Sequence, residues 1–421
     1  MNTGTKNSKE TILSGFADEA DKTDDAIKVN DYIYISKDMG DSILITTPGG
    51  DVVINTGLPG AGPKHRKRFA RVSENPIRHI ILTQCHANQF GGAQGMRDPQ
   101  TEIIAQARYP ECRQYWMWLH DFYANRSNKL WGSVLGIDRS ELKEKIEEAQ
   151  LDILFDDSHH FELGGREFEL YATPGGESLD SLVVWLPRDK IAVVGNLFGP
   201  IFGHMPNLYT LRGDKIRSAM RYIESIERVK ALKPAMMITG HQVIEGVEEI
   251  QRTVSKLSDA VRYLHEKTIA GMNAGSDVQT LMRDINLPEH LQVGQGHGKV
   301  PWCIRAIWEE YAGWFHYDST TALYAVPRSS VAGDIVELAG GVDNLTARAR
   351  RYISGHEPLK AIHLIDIALA SEPENSAVLQ AKIDAHQQLL DEGGSETFSE
   401  IMWLKSEIKA AEQDIARSGK S

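Results

Sequence analysis

The sequence predicts a layered α/β domain followed by an all-α region. Three observations carry that prediction. From about residue 30, short branched apolar runs succeed one another in strand fashion. Further along, such runs alternate with amphipathic helical stretches, the mark of sheets covered by helices. Beyond Glu245 the β-branched runs thin out and helical periodicity takes over.

Taken in order, Tyr32-Ile33-Tyr34-Ile35, Ser42-Ile43-Leu44-Ile45 and Asp51-Val52-Val53-Ile54 read as strands, with Gly49-Gly50 turning a hairpin. A helix follows over 63–74, then strands over 78–82 and 101–105, then an aromatic-rich amphipathic helix over 109–125. Strands are expected near 161–172, 181–187 and 191–195, a helix over 214–230 and a strand over 235–239. The layered domain is placed at 28–247, after a polar extension at 1–27. Residues 247–290 and 342–412 carry helical periodicity. Within them 356–392 reads as a helix, a Pro-Glu-Asn turn and a second helix, similar to one tetratricopeptide-like hairpin but without a second copy. The polar tail at 413–421 is expected to fray.

Bulk composition narrows the function. A chain of 421 residues with 41% hydrophobic and 25% charged side chains is an ordinary globular one, large enough for two or three cores. A net charge of −12 argues against nucleic acid, which needs a concentrated basic surface. The basic run Lys64–Arg68 is expected to be the solvated face of a helix. No apolar stretch long enough for a signal or membrane span occurs near the N-terminus. Cys85, Cys112 and Cys303 are too scattered for a disulfide framework, so a reducing compartment, the cytoplasm, is expected.

The chemistry concentrates in loops. Residues 83–92, TQCHANQFGG, follow the apolar run Ile80-Ile81-Leu82 and contain one strong metal ligand, His86. Their frame looks like the dinuclear-metal motif T-H-x-H-x-D-H-x-G-G, with Gln84, Asn88 and Gln89 at positions where that motif has His, Asp and His. With Asn55-Thr56-Gly57, Thr173-Pro174-Gly175, Gly195-Asn196 and Thr239-Gly240-His241, the loop resembles the metallo-β-lactamase-fold superfamily, motif by motif and in order. The segment His204–Gly213, Gly296-His297-Gly298, Trp302, Arg305, Tyr311 and Gly313-Trp314-Phe315 resemble its linear primary-alkylsulfatase branch.

That resemblance implies an αββα sandwich followed by an all-α dimerisation domain at 248–412, a homodimer, and a hydrolase of sulfate or similar esters. In the family one metal takes the two His of H-x-H and a Glu of the T-P-G loop. The second takes the Asp and His that follow and a distal His, with a bridging carboxylate. Mapped onto this chain, His86, Glu177 and His241 survive, whereas Gln84, Asn88, Gln89 and Asn196 are amides. Amide oxygens are poor zinc ligands, and without the carboxylates two close divalent cations lack compensating charge. The expectation is at most one divalent ion, zinc or iron, on His86, Glu177 and His241, or none, those three then acting as acid–base groups. Asn207, Tyr209 and Arg212 are expected at the anionic end of a hydrophobic substrate, since Arg suits a tetrahedral oxyanion. Asp180 competes with Glu177 for its role, and Cys85 is expected to face the core. The aromatic run Tyr115–Trp118 with Phe122, Tyr123 and Trp131 suits an apolar wall. The alternatives are a lyase or mononuclear-iron enzyme, and a dimeric binding protein whose metal chemistry has been lost.

Overall fold

The computed structural model describes residues 24–135, 147–215, 217–392 and 397–419. Two compact units divide the chain: Met1–Asn128 with Gly132–Tyr311, and Lys129–Trp131 with Ala312–Ser421.

In the first unit β1 (Ile27–Lys28), β2 (Ile33–Ser36), β3 (Ser42–Ile45) and β4 (Asp51–Ile54) pair antiparallel in sequence order. β5 (Ile77–Ile81), β6 (Glu102–Gln106) and β7 (Ile153–Phe155) then extend that sheet in parallel. The second sheet is built from β8 (Ser158–Leu163), β9 (Arg166–Ala172), β10 (Leu182–Leu186), β11 (Ile191–Gly195), β12 (Met236–Thr239) and β13 (Val243–Glu245). Its spatial order is β13-β12-β11-β10-β9-β8, antiparallel except for β11 beside β12.

Period-two alternation decides which way each side chain faces. Ile33, Ile35, Ile43, Ile45, Val52 and Ile54 point between the sheets and meet Phe168, Leu170, Leu182 and Val184. Their neighbours Leu44 and Val53, with Ile80 and Leu82, point the other way and pack on Phe69 of α1 (Gly62–Phe69), Phe90 of α2 (Ala87–Phe90) and Met96 of α3 (Ala93–Met96). The same layer receives Tyr109 and Cys112 from α4 (Tyr109–Trp118), which α5 (His120–Leu135) follows. On the far face of the second sheet Val183, Trp185, Ala192 and Val194 lie under α6 (Ala219–Leu232), α7 (Val247–Asn273), α8 (Val278–Asp284) and α9 (Val300–Ala312). The result is αββα. The helices that begin at Val247 share this core through Ile250, Val254, Leu257, Ile304 and Ile307, so compactness divides the chain at Tyr311/Ala312, well beyond the change in periodicity.

The second unit stacks α10 (Ala332–Leu338), α11 (Val342–Ser354), α12 (Pro358–Ser371), α13 (Ser376–Glu392) and α14 (Phe398–Ser418). Its core alternates branched residues with Ala349, Ala361, Ala368, Ala381 and Ala385, small side chains that let helices approach closely. The helical hairpin expected over 356–392 is α12 with α13.

Several local expectations are corrected. The helix expected over 109–125 is two, α4 and α5, interrupted at Leu119. The strand expected over 161–172 is the hairpin β8–β9, turned at Gly164-Gly165. The helix expected from 214 begins at Ala219, leaving the described residues 206–215 and 217–218 outside any helix. Residues 413–418, expected to fray, are helical. Within the basic run only Lys64, Arg66 and Lys67 reach solvent: His65 and Arg68 are buried, holding the Ser36 hydroxyl and, through Arg68, the Lys37 carbonyl. Residues 1–23 of the polar extension and the Trp131 side chain lie outside the described residues.

Candidate functional site

The loop after β5 is shaped by groups other than the candidate ligands. Asn55 sits at φ +59, a conformation Asn tolerates, and its Oδ1 accepts from the Thr83 backbone N–H (2.9 Å) and hydroxyl (3.0 Å). The Thr56 N–H donates to the Gln89 carbonyl at 2.7 Å. Along 84–86 the side chains alternate, Gln84 and His86 meeting each other while Cys85 enters the apolar layer beneath.

His86 spans two half-buried carboxylates. Its Nδ1 is 3.6 Å from Glu177 Oε2, on the loop after β9, and its Nε2 is 3.4 Å from Asp214 Oδ2. Glu177 reaches onward, Oε1 lying 3.3 Å from His297 Nε2. Asp214 Oδ2 also faces Arg212 Nη2 at 3.6 Å and Arg217 Nη2 at 3.5 Å. Arg217 is held in place by donating from Nη1 to the Asn207 carbonyl at 2.8 Å. Trp116 of α4 closes one side, edge-on to His86 with ring centroids 5.6 Å apart and with the Arg212 guanidinium 4.9 Å over its ring.

Electrostatics follow from this wiring. Burial acts to lower the pKa of His86, but the Asp214 and Glu177 carboxylates outweigh it and leave it raised. Burial acts to raise Glu177, yet His86, Arg217 and His297 hold it well below the usual carboxylate range. Asp214 is lowered in the same way, against its burial, by His86, Arg217 and Arg212. The Gln84 amide nitrogen lies 2.7 Å from His86 Nδ1 and 3.3 Å from Glu177 Oε2. It donates to Nδ1 when the imidazole is neutral. When the imidazole is protonated, a half-turn of the amide presents its oxygen as acceptor.

A second group gathers around Gly240, at the end of β12. A Cβ there would fall 2.2 Å from Asn196 Oδ1 and 3.5 Å from Gln89 Nε2, so the close approach requires glycine. Both polar atoms of the Gln89 amide and Asn196 Oδ1 are buried without a hydrogen-bond partner among the described residues. His241 adjoins them, its carbonyl accepting from Lys37 Nζ at 2.7 Å. Burial pushes its imidazole down to about 4, with Glu177 opposing. His297 is likewise pushed down to about 4 by burial, with Glu177 again opposing, and it packs so tightly that a Cβ at Gly199 (φ +72) would lie 2.3 Å from its Nδ1.

Of the candidate residues, then, Gln84, His86, Glu177 and Arg212 converge, and Gln89, Asn196 and His241 form the neighbouring group. Asn207 contributes its carbonyl to Arg217, and its Oδ1 is buried without a hydrogen-bond partner. Asn88 is half-buried with its carbonyl pressed against Gly40. Tyr209 is engaged elsewhere: burial first and then a hydrogen bond to Glu309 raise its pKa. Asp180 turns away from the cluster to accept from the Ser178 hydroxyl. Asp214, Arg217 and His297 were missed. The first two stand where a helix was expected, and His297 was visible only as part of the Gly-His-Gly landmark.

The residues present do not fit the superfamily's dinuclear centre, nor a single ion on His86, Glu177 and His241. Among the described residues the three do not bring ligand atoms within 4.8 Å of one another. His86 directs its two nitrogens to carboxylates on opposite sides, and both amides of the second group are poor ligands. Among the described residues, the one set of His, Cys, Asp or Glu ligands that does converge so closely is Cys85, Cys112 and Asp180.

A double-sheet αββα sandwich with its polar clusters on the loops after β5, β9, β11 and β12 defines the metallo-β-lactamase class of fold. Residues 35–241 match the metallo-beta-lactamase superfamily and residues 278–406 the alkyl sulfatase dimerisation family. The chain thus carries a metallo-β-lactamase domain and an alkylsulfatase-type dimerisation domain. Its relatives include a linear primary-alkylsulfatase of Pseudomonas sp., 25% identical over 74% of this chain and 63% of that protein. An alkyl/aryl-sulfatase of Saccharomyces cerevisiae is 22% identical over 75% of this chain and 52% of that one. The chain thus spans between about half and just under two thirds of the length of these curated relatives. A stereoselective inverting sec-alkylsulfatase from Pseudomonas sp. shares the fold, with a TM-score of 0.81 at 18% identity over 94% of this chain and 70% of that one.

Proposed function

We propose that the chain is an alkylsulfatase-like hydrolase that acts on a hydrophobic substrate with an anionic ester group, through His86 rather than through a dinuclear metal centre. The observation that carries this reading is the seat of Asp214, where one carboxylate oxygen faces His86, Arg212 and Arg217 at 3.4–3.6 Å. Three cations, His86, Arg212 and Arg217, stand against two carboxylates, Glu177 and Asp214, so the cluster has an excess of one positive charge in a buried setting. An anionic headgroup neutralises that charge, and its tetrahedral oxygens match guanidinium forks better than a carboxylate does. The relatives named as alkylsulfatases support the substrate class.

In this reading the substrate anion takes the place of Asp214. His86, held protonated by Glu177, gives its Nε2 proton to the ester oxygen as the bond from that oxygen to sulfur breaks; water adds to the sulfur and its proton returns to Nε2, so that one water is consumed and alcohol and hydrogen sulfate leave. Gln84 follows the change by turning its amide. Gln89, Asn196 and Asn207 offer buried hydrogen-bonding groups to the reacting centre. Trp116 lines the seat, and Met117, Trp118, Leu119 and Phe122 form an exposed apolar rim on the same helices, suited to a hydrocarbon tail. The dimerisation match supports a homodimer. Three buried cysteines without a disulfide support a reducing, cytoplasmic setting. No helix among the described residues is long and apolar enough to cross a membrane, and the acidic balance supports a small-molecule partner rather than nucleic acid.

The test is release of sulfate from a panel of alkyl and aryl sulfate esters. His86→Ala should lower kcat by about 10²–10⁴-fold, the usual worth of a positioned acid. Equal rates for the variant and the parent, or no sulfate release by the parent across the panel, would overturn the reading.

A further inference from the structure

The side chains that do converge as metal ligands lie behind the catalytic face, and nothing in the proposed reaction uses them. Cys85 stands between Gln84 and His86 but points into the apolar layer, and it is 1% exposed. Cys112 enters from the early part of α4, and Asp180 descends from the loop that also carries Glu177. The two sulfurs and a carboxylate oxygen all lie within 4.8 Å of one another, and all three residues are buried. Two further observations point to a missing partner. Asp180 is fully buried, and while its Oδ1 accepts from Ser178, its Oδ2 has no hydrogen-bond partner beyond the Cys85 thiol beside this carboxyl. The hydroxyl of Tyr109, close enough to sense Cys85 and Asp180, is buried without a partner as well.

We propose that Cys85, Cys112 and Asp180 bind one soft divalent cation of the zinc type, at a structural site separate from the His86 cluster. Two thiolates and a carboxylate are a ligand set that zinc accepts in tetrahedral geometry, with the fourth position open to water. Binding releases the thiol protons, so affinity rises with pH. The Ser178 hydroxyl supplies the outer contact, orienting Asp180 through Oδ1 and lying 3.7 Å from Cys85 Sγ. Such an ion fastens the His86 loop to the Glu177 loop from the side away from substrate. It also explains why Cys85 is placed between two site residues yet faces away from them. Entry is short, since Cys112 lines the same small pocket as Glu177 and Asp214.

The experiment is titration of the full-length, reduced, metal-free protein with cobalt(II), a spectroscopic substitute for zinc. The expected result is one cobalt per chain with an intense near-ultraviolet sulfur-to-cobalt charge-transfer band. Cys112→Ser should abolish the band. Asp180→Asn, which keeps both thiols and the side-chain volume, should weaken cobalt binding at least about tenfold. Cys303→Ser should leave it intact, and so should His86→Ala, which separates this site from the proposed catalytic one. Absence of the band in the parent protein, its persistence in Cys112→Ser, or its loss in His86→Ala would each overturn the proposal.

Discussion

Replacing Asp214 by Asn removes a charge from the centre of the cluster while keeping its shape, and the outcome distinguishes an anion seat from a structural ion-pair network. Asp214 Oδ2 faces three cations at 3.4, 3.5 and 3.6 Å, and its side chain is 16% exposed. At an effective dielectric constant of about 20, each such pair has a gross attraction of about 5 kcal/mol. Desolvation cancels most of that, leaving the roughly 1.5–3 kcal/mol typical of a charge-assisted hydrogen bond. An incoming sulfate ion must displace this carboxylate in the parent protein but not in Asp214→Asn. The variant should therefore bind sulfate about ten- to a hundredfold more tightly. Because Asp214 is one of the two groups that raise the His86 pKa, the gain should be larger at pH 6 than at pH 8. Calorimetric titration of sulfate into both proteins measures this without any substrate. If Asp214→Asn binds sulfate no better than the parent, Arg212, Arg217 and His86 do not form an anion seat.

Stability should fall as the solution is acidified from neutrality. His241 and His297, unfolded near ~6.5 and folded at about 4, are neutral in the native state, so their contribution is complete above ~6.5 and lost as pH falls toward 4, on the order of 3 kcal/mol each. His86, whose folded pKa is raised, works in the opposite sense, contributing at low pH and losing that contribution as pH rises through its folded value. A urea midpoint that stays level between pH 7 and pH 4.5 would contradict the first effect. Light scattering at micromolar concentration should give twice the chain mass, and a monomer would remove the homodimer. The combined replacement Gln84→His, Asn88→Asp, Gln89→His and Asn196→Asp should raise metal content above that of the parent, read by elemental analysis; unchanged content would show that geometry as well as ligand identity has moved away from the superfamily's centre.

Much of the fold was legible because its signals are local: Ile43, Leu44 and Ile45 announce a strand buried on both faces within three residues, and α12 and α13 announce a helical hairpin by period and by the turn between them. What was misjudged depends on contacts distant in sequence. The short edge strands β7 and β13 have too few residues to show a period. The turn at Gly164-Gly165 was a legible hairpin signal that was passed over in favour of one long strand. His86, Glu177 and Arg212 could be nominated because each stands in a motif. Asp214 and Arg217 stand in a stretch whose charges suit an amphipathic helix equally well, and only the tertiary approach of that loop to His86 makes them site residues. Cys85, Cys112 and Asp180 are separated by 27 and 68 positions in the chain, spacings that match no metal motif.

The clasp formed by Asn55 and Thr56 on Thr83 and Gln89 acts through one amide oxygen, two hydroxyls and main-chain atoms, and no candidate ligand side chain takes part. Container and contents are therefore uncoupled. A lineage can exchange the side chains at 84, 88 and 89 one at a time, passing from one chemistry to another through intermediates that all keep the same socket. For the same reason an engineer can treat these positions as interchangeable fittings, with Asn55 and Thr83 as the parts to leave alone.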